Sequence, residues 1–346
     1  MQAMIAMSGG VDSSVAALLT LEQGYPCIGA TLHLHGSNGA ADAEAVARRL
    51  GIPFYTFNAT EQFDRLVKDH FLQSYEQGLT PNPCVRCNRH LKFGHLLDIA
   101  QTMGCDKLVT GHYARICRES ATGRYLLKKA ADPAKDQSYF LCCMTQHQLS
   151  HSLFPLGELP KTEVRRIAEK NGFLNAGKKD SQDICFVPDG DYMAFLESYS
   201  GKQYPAGDFL DQRGAVVGRH RGAVGYTLGQ RKGLGLAMGQ PVYVCGKNMA
   251  ENTVTVGTED ALFHRGLLAN EWNWISIDSL TAPLRVKAKA RSRMQEQNAT
   301  VYPGENGFCR VIFDEPQRAI TPGQTVALYE GDTVIAGGTI TEAFHP

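Results

Sequence analysis

The stretch that most limits what this chain can fold into is Met4-Ile5-Ala6-Met7-Ser8-Gly9-Gly10-Val11-Asp12-Ser13-Ser14, which runs on into Val15-Ala16-Ala17-Leu18-Leu19. A short apolar strand, a glycine turn and a helix start together make a phosphate site. The two glycines let the backbone approach a ligand closely, and the first-turn N–H groups lack partners inside the helix, whose dipole favours an anion there. The hydroxyls of Ser8, Ser13 and Ser14 add donors, and Asp12, an acid beside the anion site, suggests Mg2+ as mediator. The string has no Gly-Lys-Ser/Thr, so it is not the γ-phosphate grip of a P-loop kinase or GTPase. The plainer reading of the same residues is a helix capped by a glycine turn.

Further along, apolar strand patterns alternate with helical ones: Cys27 to Leu34, Ala43 to Leu50, Phe63 to Tyr75, Phe93 to Met103, Lys107 to Thr110, and Thr162 to Asn171 closed by Gly172. Strands alternating with helices argue for a parallel sheet in an α/β domain. Residues 1–198 read as that domain. After Tyr199 the composition changes to closely spaced glycines between strand-like pieces such as Val242-Tyr243-Val244, which marks residues 199–267 as a small β-rich domain. Residues 268–346 carry alternating runs (Arg285 to Arg293, Gly307 to Phe313, Thr325 to Tyr329, Thr333 to Thr339) and read as a compact antiparallel barrel.

Hydrophobic residues at 43% and charged residues at 20% exclude a disordered or coiled-coil chain. Thirty-five basic and thirty-five acidic residues cancel, so a nucleic-acid surface has to be a local patch. No apolar run is long enough for a membrane span, and no charged segment precedes the short apolar start; a cytoplasmic protein without a membrane partner is expected. Ten unevenly spaced cysteines, with Cys142 and Cys143 adjacent, do not look like a disulfide scaffold and point to reduced thiols, reactivity or metal.

Thr80-Pro81-Asn82-Pro83-Cys84-Val85-Arg86-Cys87-Asn88-Arg89 reads as a proline-stiffened loop that presents two thiols just before a helix beginning near Leu91. A thiol close to a helix N-terminus and to cations has a lowered pKa, which makes Cys87 a candidate thiolate. Cys185 is a second candidate, because paired Lys178 and Lys179 precede it in a polar setting. The alternatives are inert thiols, or a structural zinc site that borrows His90 or His95.

Taken together, the glycine string, Thr80 to Pro83, Cys87-Asn88, Lys92-Phe93, Gly111-His112-Tyr113-Ala114, Lys135 to Phe140, Ser181 to Phe186 and Gly225 to Gly235 resemble the bacterial tRNA-specific 2-thiouridylase family of the ATP-pyrophosphatase superfamily. The resemblance spans nearly the whole chain. It implies a parallel-sheet, Rossmann-like ATP-pyrophosphatase domain followed by the small β-rich domain and the barrel. The implied activity is ATP-dependent adenylation of the wobble uridine of certain tRNAs and sulfur transfer to it, giving 2-thiouridine, AMP and pyrophosphate. Ala6, Met7, Ser8, Gly9, Gly10, Val11, Asp12, Ser13, Ser14, Leu32 and Gly111 are then ATP contacts. Cys185 is the persulfide carrier and Cys87 its catalytic partner.

Many family members carry Asp where this chain has Cys84. Three thiols, Cys84, Cys87 and Cys185, are enough for a [4Fe–4S] cluster with one open iron, so that route stands beside the persulfide–disulfide route. The sulfur comes from a cysteine desulfurase, a sulfur-relay protein or sulfide. His112, Lys135, Asp136, Gln137, Ser138, Arg291, Ser292 and Gln324 are implied tRNA contacts. From the residues themselves, Arg285, Lys287, Lys289, Arg291 and Arg293 alternate with small residues, so a strand would line five cations along one face. Two rivals remain: an ATP-pyrophosphatase that makes no use of the cysteines, and a catalytically silent RNA-binding protein.

Overall fold

The computed structural model describes residues 1–34, 39–173, 175–177, 184–187 and 189–345. Strands β1 (Ala3–Ala6), β2 (Cys27–His33), β3 (Phe54–Asn58), β4 (Lys107–Val109) and, beyond a hairpin, β7 (Ser152–Leu153) form a parallel sheet in the order β3-β2-β1-β4-β7. Helices α1 (Val11–Glu22) and α2 (Ala40–Leu50) follow β1 and β2. Strand β1 is buried along Ala3, Met4 and Ile5 because helices cover both faces, as its unbroken apolar run requires. The strand order reverses beside β1, and the crevice at the carboxyl ends of β1 and β4 is where an open sheet of this kind takes a ligand.

The hairpin β5 (Ala114–Arg118) and β6 (Tyr125–Lys129) leaves that sheet and adds to the barrel through Lys128 opposite Thr333. In the middle of the chain, β8 (Gly207–Leu210), β9 (Val216–His220), β10 (Tyr243–Asn248) and β11 (Thr253–Gly257) make a four-stranded sheet. The barrel follows in β12 (Phe263–Trp274), β13 (Leu284–Lys289), β14 (Gln297–Pro303), β15 (Cys309–Arg318), β16 (Thr325–Glu330) and β17 (Thr333–Phe344), and β12 pairing with β17 closes it.

Two of the expected boundaries shift. β12 runs unbroken across residue 267, because it needs its first residues to pair with Arg318 and Gln317 of β15. The helix Tyr192–Ser200 runs across residue 198 and packs Leu196 against Phe71 and Tyr75 of the first domain. The barrel also clamps the first domain: Gln324 Nε2 donates to Thr80 O (2.9 Å) and Pro81 O (3.2 Å), and Thr80 N donates to Pro322 O (2.9 Å).

Candidate active site

The glycine turn folds as the sequence demands. Gly9 has φ +75°, and a Cβ there would lie 2.4 Å from Gly39 O. Gly10 caps α1 in extended backbone (φ −92°, ψ 159°) with no side-chain cap, so the first-turn N–H groups are left for an anion. Gly111, after β4, lies against this helix start: a Cβ would stand 2.7 Å from Asp12 C and Ser13 N. The seryl hydroxyls do something other than the expected donation to ligand. Ser13 and Ser14 Oγ both donate to Gly10 O (3.0 Å each), and Ser8 N donates to Ser13 Oγ (3.2 Å), so they brace the loop. Val11 and Ser14 turn their side chains into the core, which leaves only their backbone to meet a nucleotide.

A cavity of about 340 Å3 opens at this turn, and Ala6, Met7, Ser8, Asp12, Leu32 and Gly111 line it. Asp12 is held by a residue far away in the chain. Lys161, at the start of the helix Lys161–Lys170, reaches both carboxylate oxygens (2.7 and 2.8 Å), and the Tyr113 hydroxyl donates to Oδ1 (2.7 Å). Both oxygens of Asp12 face this ammonium, so a Mg2+ ion at the acid expected from sequence would have to share it with Lys161. Asn175 ties down the other side, its Nδ2 donating to Gly9 O (3.1 Å) and Ser14 Oγ (3.0 Å). Sequence reasoning missed Lys161 and Asn175, since nothing local marks residues that meet the turn from so far along the chain.

Cys87 and Lys92 line the same cavity. The expected loop before Leu91 is in fact helix: Pro83 occupies the first turn, Asn82 caps it through Val85 N (3.3 Å), and the helical run 83–102 carries both thiols. It is Cys84 that sits in the first turn. Cys87 opens a π-helical stretch, Cys87–His95, and is half-buried against the cluster of Ala59, Phe63, Val67 and Leu91, on which Leu32 and Phe186 also pack. Phe186 fixes the neighbourhood of Cys185, with ring centroids 5.7 Å from Phe63, 5.2 Å from Phe71 and 5.0 Å from Phe195. Lys178, Lys179 and the residues Ser181 to Asp183 lie outside the described residues.

The expected lowering of the thiol pKa is reversed. Burial pushes Cys87 up to about 11, and Cys84 and Cys185 are raised by the same cause; Lys92 acts downward on all three. Cys84 and Cys185 keep part of their residue surface exposed while their thiols are largely desolvated, and their charge is felt at Cys87. Among the described residues no three His, Cys, Asp or Glu side chains come together as a metal-holding group, so the three thiols do not fit a [4Fe–4S] cluster as they stand. His90 and His95 line a separate cavity with Arg65 and Arg89, which removes them from a zinc set with these cysteines.

The residues implied as tRNA contacts divide. His112 and Gln137 line the nucleotide cavity. His112 is buried between Phe93 and Phe154 (5.7 and 5.8 Å), bonded to Thr110 Oγ1 (2.7 Å), and burial holds its pKa well below the usual imidazole range. The imidazole is therefore neutral at pH 7. Asp136 accepts from Ala130 N and from Ser138 N and Oγ, and Ser138 is fully buried, so these two hold the turn that presents Gln137; Lys135 lies half-buried on the same turn. Tyr113 and Tyr139 are core residues as well, the latter donating to Thr325 O (2.7 Å).

The cationic stripe is shorter than expected, since β13 ends at Lys289 and Arg291 to Arg293 form a turn. Arg291 leaves the barrel face and bonds Leu228 O (2.9 Å) and Thr321 Oγ1, with its Nε buried and unbonded; Ser292, half-buried, sits in the same turn. Beside it lies a second cavity of about 590 Å3, walled by Tyr75, Tyr192, Thr227 and Gln230, which accounts for much of the Gly225 to Gly235 motif. No helix among the described residues is long and apolar enough to cross a membrane.

Residues 1–189 match the tRNA methyl transferase HUP domain, 193–258 the tRNA methyl transferase PRC-barrel domain and 264–340 the aminomethyltransferase beta-barrel domain. The chain is 47% identical over 97% of its length to the tRNA-specific 2-thiouridylase MnmA of Acetivibrio thermocellus, covering 98% of that protein. It is 48% identical over 97% to the enzyme of that name from Moorella thermoacetica, again covering 98%. A 4-thiouridine synthetase–RNA complex with bound ATP overlies 57% of this chain and 50% of its own, at 16% identity and a TM-score of 0.36.

Proposed function

The chain belongs to the tRNA-specific 2-thiouridylase family, and from that premise we propose that it replaces the C2 oxygen of the wobble uridine of tRNA with sulfur at the expense of ATP. One observation carries the reading: a single cavity joins the anion-binding start of α1 to Cys87. ATP lies with its phosphates on the α1 N–H groups and its base against Leu32. The uracil O2 attacks the α-phosphorus and pyrophosphate leaves. C2 now carries a phosphate ester, a far better leaving group than a carbonyl oxygen.

The sulfur comes from Cys185 as a persulfide. Its terminal sulfur attacks C2 and expels AMP, which keeps the uracil oxygen. Cys87 thiolate then attacks the Cys185 sulfur; the S–S bond to the base breaks, 2-thiouridine departs with the electron pair, and Cys87 and Cys185 are left as a disulfide. Where the donor carries sulfane sulfur, a thiol reductant must first supply two electrons to reset the pair. The outer sulfur is loaded as sulfane sulfur by a cysteine desulfurase or a relay protein, or by sulfide attacking the Cys185 sulfur of the Cys87–Cys185 disulfide, which breaks that bond, releases the Cys87 thiolate and leaves the persulfide on Cys185 without a further reductant. His112 and Gln137 contact the target nucleotide, Lys135 and Ser292 the adjoining backbone, and Gln324 holds the loop of Cys84 against the barrel.

The domain descriptions speak of methyl transfer, which needs neither a persulfide nor AMP release. Mass spectrometry of nucleosides separates the readings. Unmodified tRNA is incubated anaerobically with the chain, ATP and a sulfur source, beside Cys185→Ser. We expect 2-thiouridine and AMP from the parent and no 2-thiouridine from the variant. A methylated nucleoside, or thiolation that survives loss of Cys185, would overturn the proposal.

A further inference from the structure

Lys92 has no part in the account above, yet it stands at its centre. It lines the nucleotide cavity beside Cys87, Asp12 and His112. Among the described residues it makes no hydrogen bond or ion pair, whereas Lys68 is held by Asp64 (2.7 Å) and Lys161 by Asp12 (2.7 Å). A half-buried cation without a protein partner calls for an anion from elsewhere.

The backbone explains how it came to be there. In an α-helix, side chains five apart are about 140° from each other and those nine apart stand on opposite sides. Cys87, Leu91, Lys92 and Leu96 nonetheless all line one wall. The π-helical stretch Cys87–His95 accounts for this. Its i→i+5 pairing turns about 80° per residue, so positions four, five and nine residues on all fall within about 50° of Cys87.

We propose that Lys92 is the cation that holds the attacking sulfur of this site as an anion, and that the π-helical stretch exists to put it on the same wall as Cys87. The inference rests on Cys87 acting as a nucleophile. Of the groups around the thiols, Cys84, Cys185 and burial oppose ionisation of Cys87, and Asp12 is already neutralised by Lys161. Lys92 is the cation that favours the Cys87 thiolate, while Lys68 also reaches Cys185. Lys92 thus offsets part of a desolvation that would otherwise leave Cys87 inert at neutral pH.

The test is the pH profile of iodoacetamide alkylation of Cys87 in the full chain, followed by peptide mass mapping, without ATP or tRNA. Lys92→Met is expected to move the profile alkaline and to slow alkylation at pH 8 by about tenfold, with Lys92→Arg restoring most of the rate. A merely structural role predicts the opposite sign, because a loosened helix exposes Cys87 and speeds its alkylation. An unchanged or faster rate overturns the proposal, and so does slowing that Arg fails to restore. Because no tRNA is present, this outcome is independent of the nucleoside experiment: loss of 2-thiouridine formation there with the profile shift intact here would sink the thiolation reading alone.

Discussion

The two ends of the nucleotide cavity are built from different materials. At the phosphate end the working parts are backbone: N–H groups of α1, a left-handed Gly9, and Gly111 pressed against the helix start. At the sulfur end they are side chains from separate segments: Cys87 and Lys92 line the cavity from one helical run, and Cys185, whose charge acts on Cys87, follows in a loop anchored by Phe186. Backbone geometry tolerates no added atom, whereas the sulfur end is tuned by burial and charge. Damage at the first end should therefore cost fold and activity together, and damage at the second should cost chemistry alone.

The sharpest contrast pairs Gly9→Ala with Cys185→Ala. The new methyl at Gly9 meets Gly39 O at 2.4 Å with φ at +75°. The clash costs about 1–3 kcal/mol, and the left-handed backbone about 1–2 kcal/mol more. Urea unfolding should register that loss, and ATP-dependent pyrophosphate release should fall by about a hundredfold or more, since the anion site itself shifts. Cys185 is exposed, so its truncation should leave the unfolding free energy within about 0.5 kcal/mol while abolishing thiolation. A Gly9→Ala protein of parent stability would break the comparison at its stronger end.

Next comes the ion pair behind the phosphate turn. Lys161 and Asp12 are 10% and 29% exposed, so removing the ammonium by Lys161→Met leaves a partly buried carboxylate with Tyr113 as its side-chain donor among the described residues. We expect a loss of about 1–3 kcal/mol, below the range for fully buried pairs. Adding Asp12→Asn should restore about 1 kcal/mol or more, because the stranded charge goes while the Tyr113 hydroxyl keeps an acceptor. Denaturation of the two single variants and the double variant measures the coupling. Strict additivity would mean the pair does not hold the turn.

This same division decides what could be read from sequence. The phosphate end was legible because a strand, two glycines and a helix start are contiguous, and backbone conformation follows local sequence. Even there, local sequence does not show that Ser13 and Ser14 bond Gly10 O or that Asp12 pairs with Lys161. At the sulfur end the residue types were visible but their environment was not. The neighbours of Cys87 in sequence point to a lowered thiol; packing against Ala59, Phe63, Val67 and Leu91 decides the sign instead, and most of that cluster comes from a distant segment. The cap Asn82-Pro83 was the missed local signal that the helix begins well before Leu91.

The smallest effect concerns the cations of β13, where the same side-chain rule bears on the proposed RNA surface. Of the five cations that alternate from Arg285 to Arg293, Arg285 is bound by Asp314, Lys289 lies over the Tyr139 ring, and Arg291 is tied to the central domain. Lys287 on the strand and Arg293 in the turn after it are exposed with no ion-pair partner among the described residues, which makes these two the members free to take a phosphate, and Lys287 the one that stands on the strand itself. Lys287→Ala should change stability by less than about 0.5 kcal/mol and lower the salt slope of tRNA binding by about 0.9 if it neutralises one phosphate. Arg285→Ala should change that slope less, because Asp314 already competes for the guanidinium. Equal slopes for both variants would mean that proximity along the strand, rather than freedom from a protein partner, selects the RNA contacts.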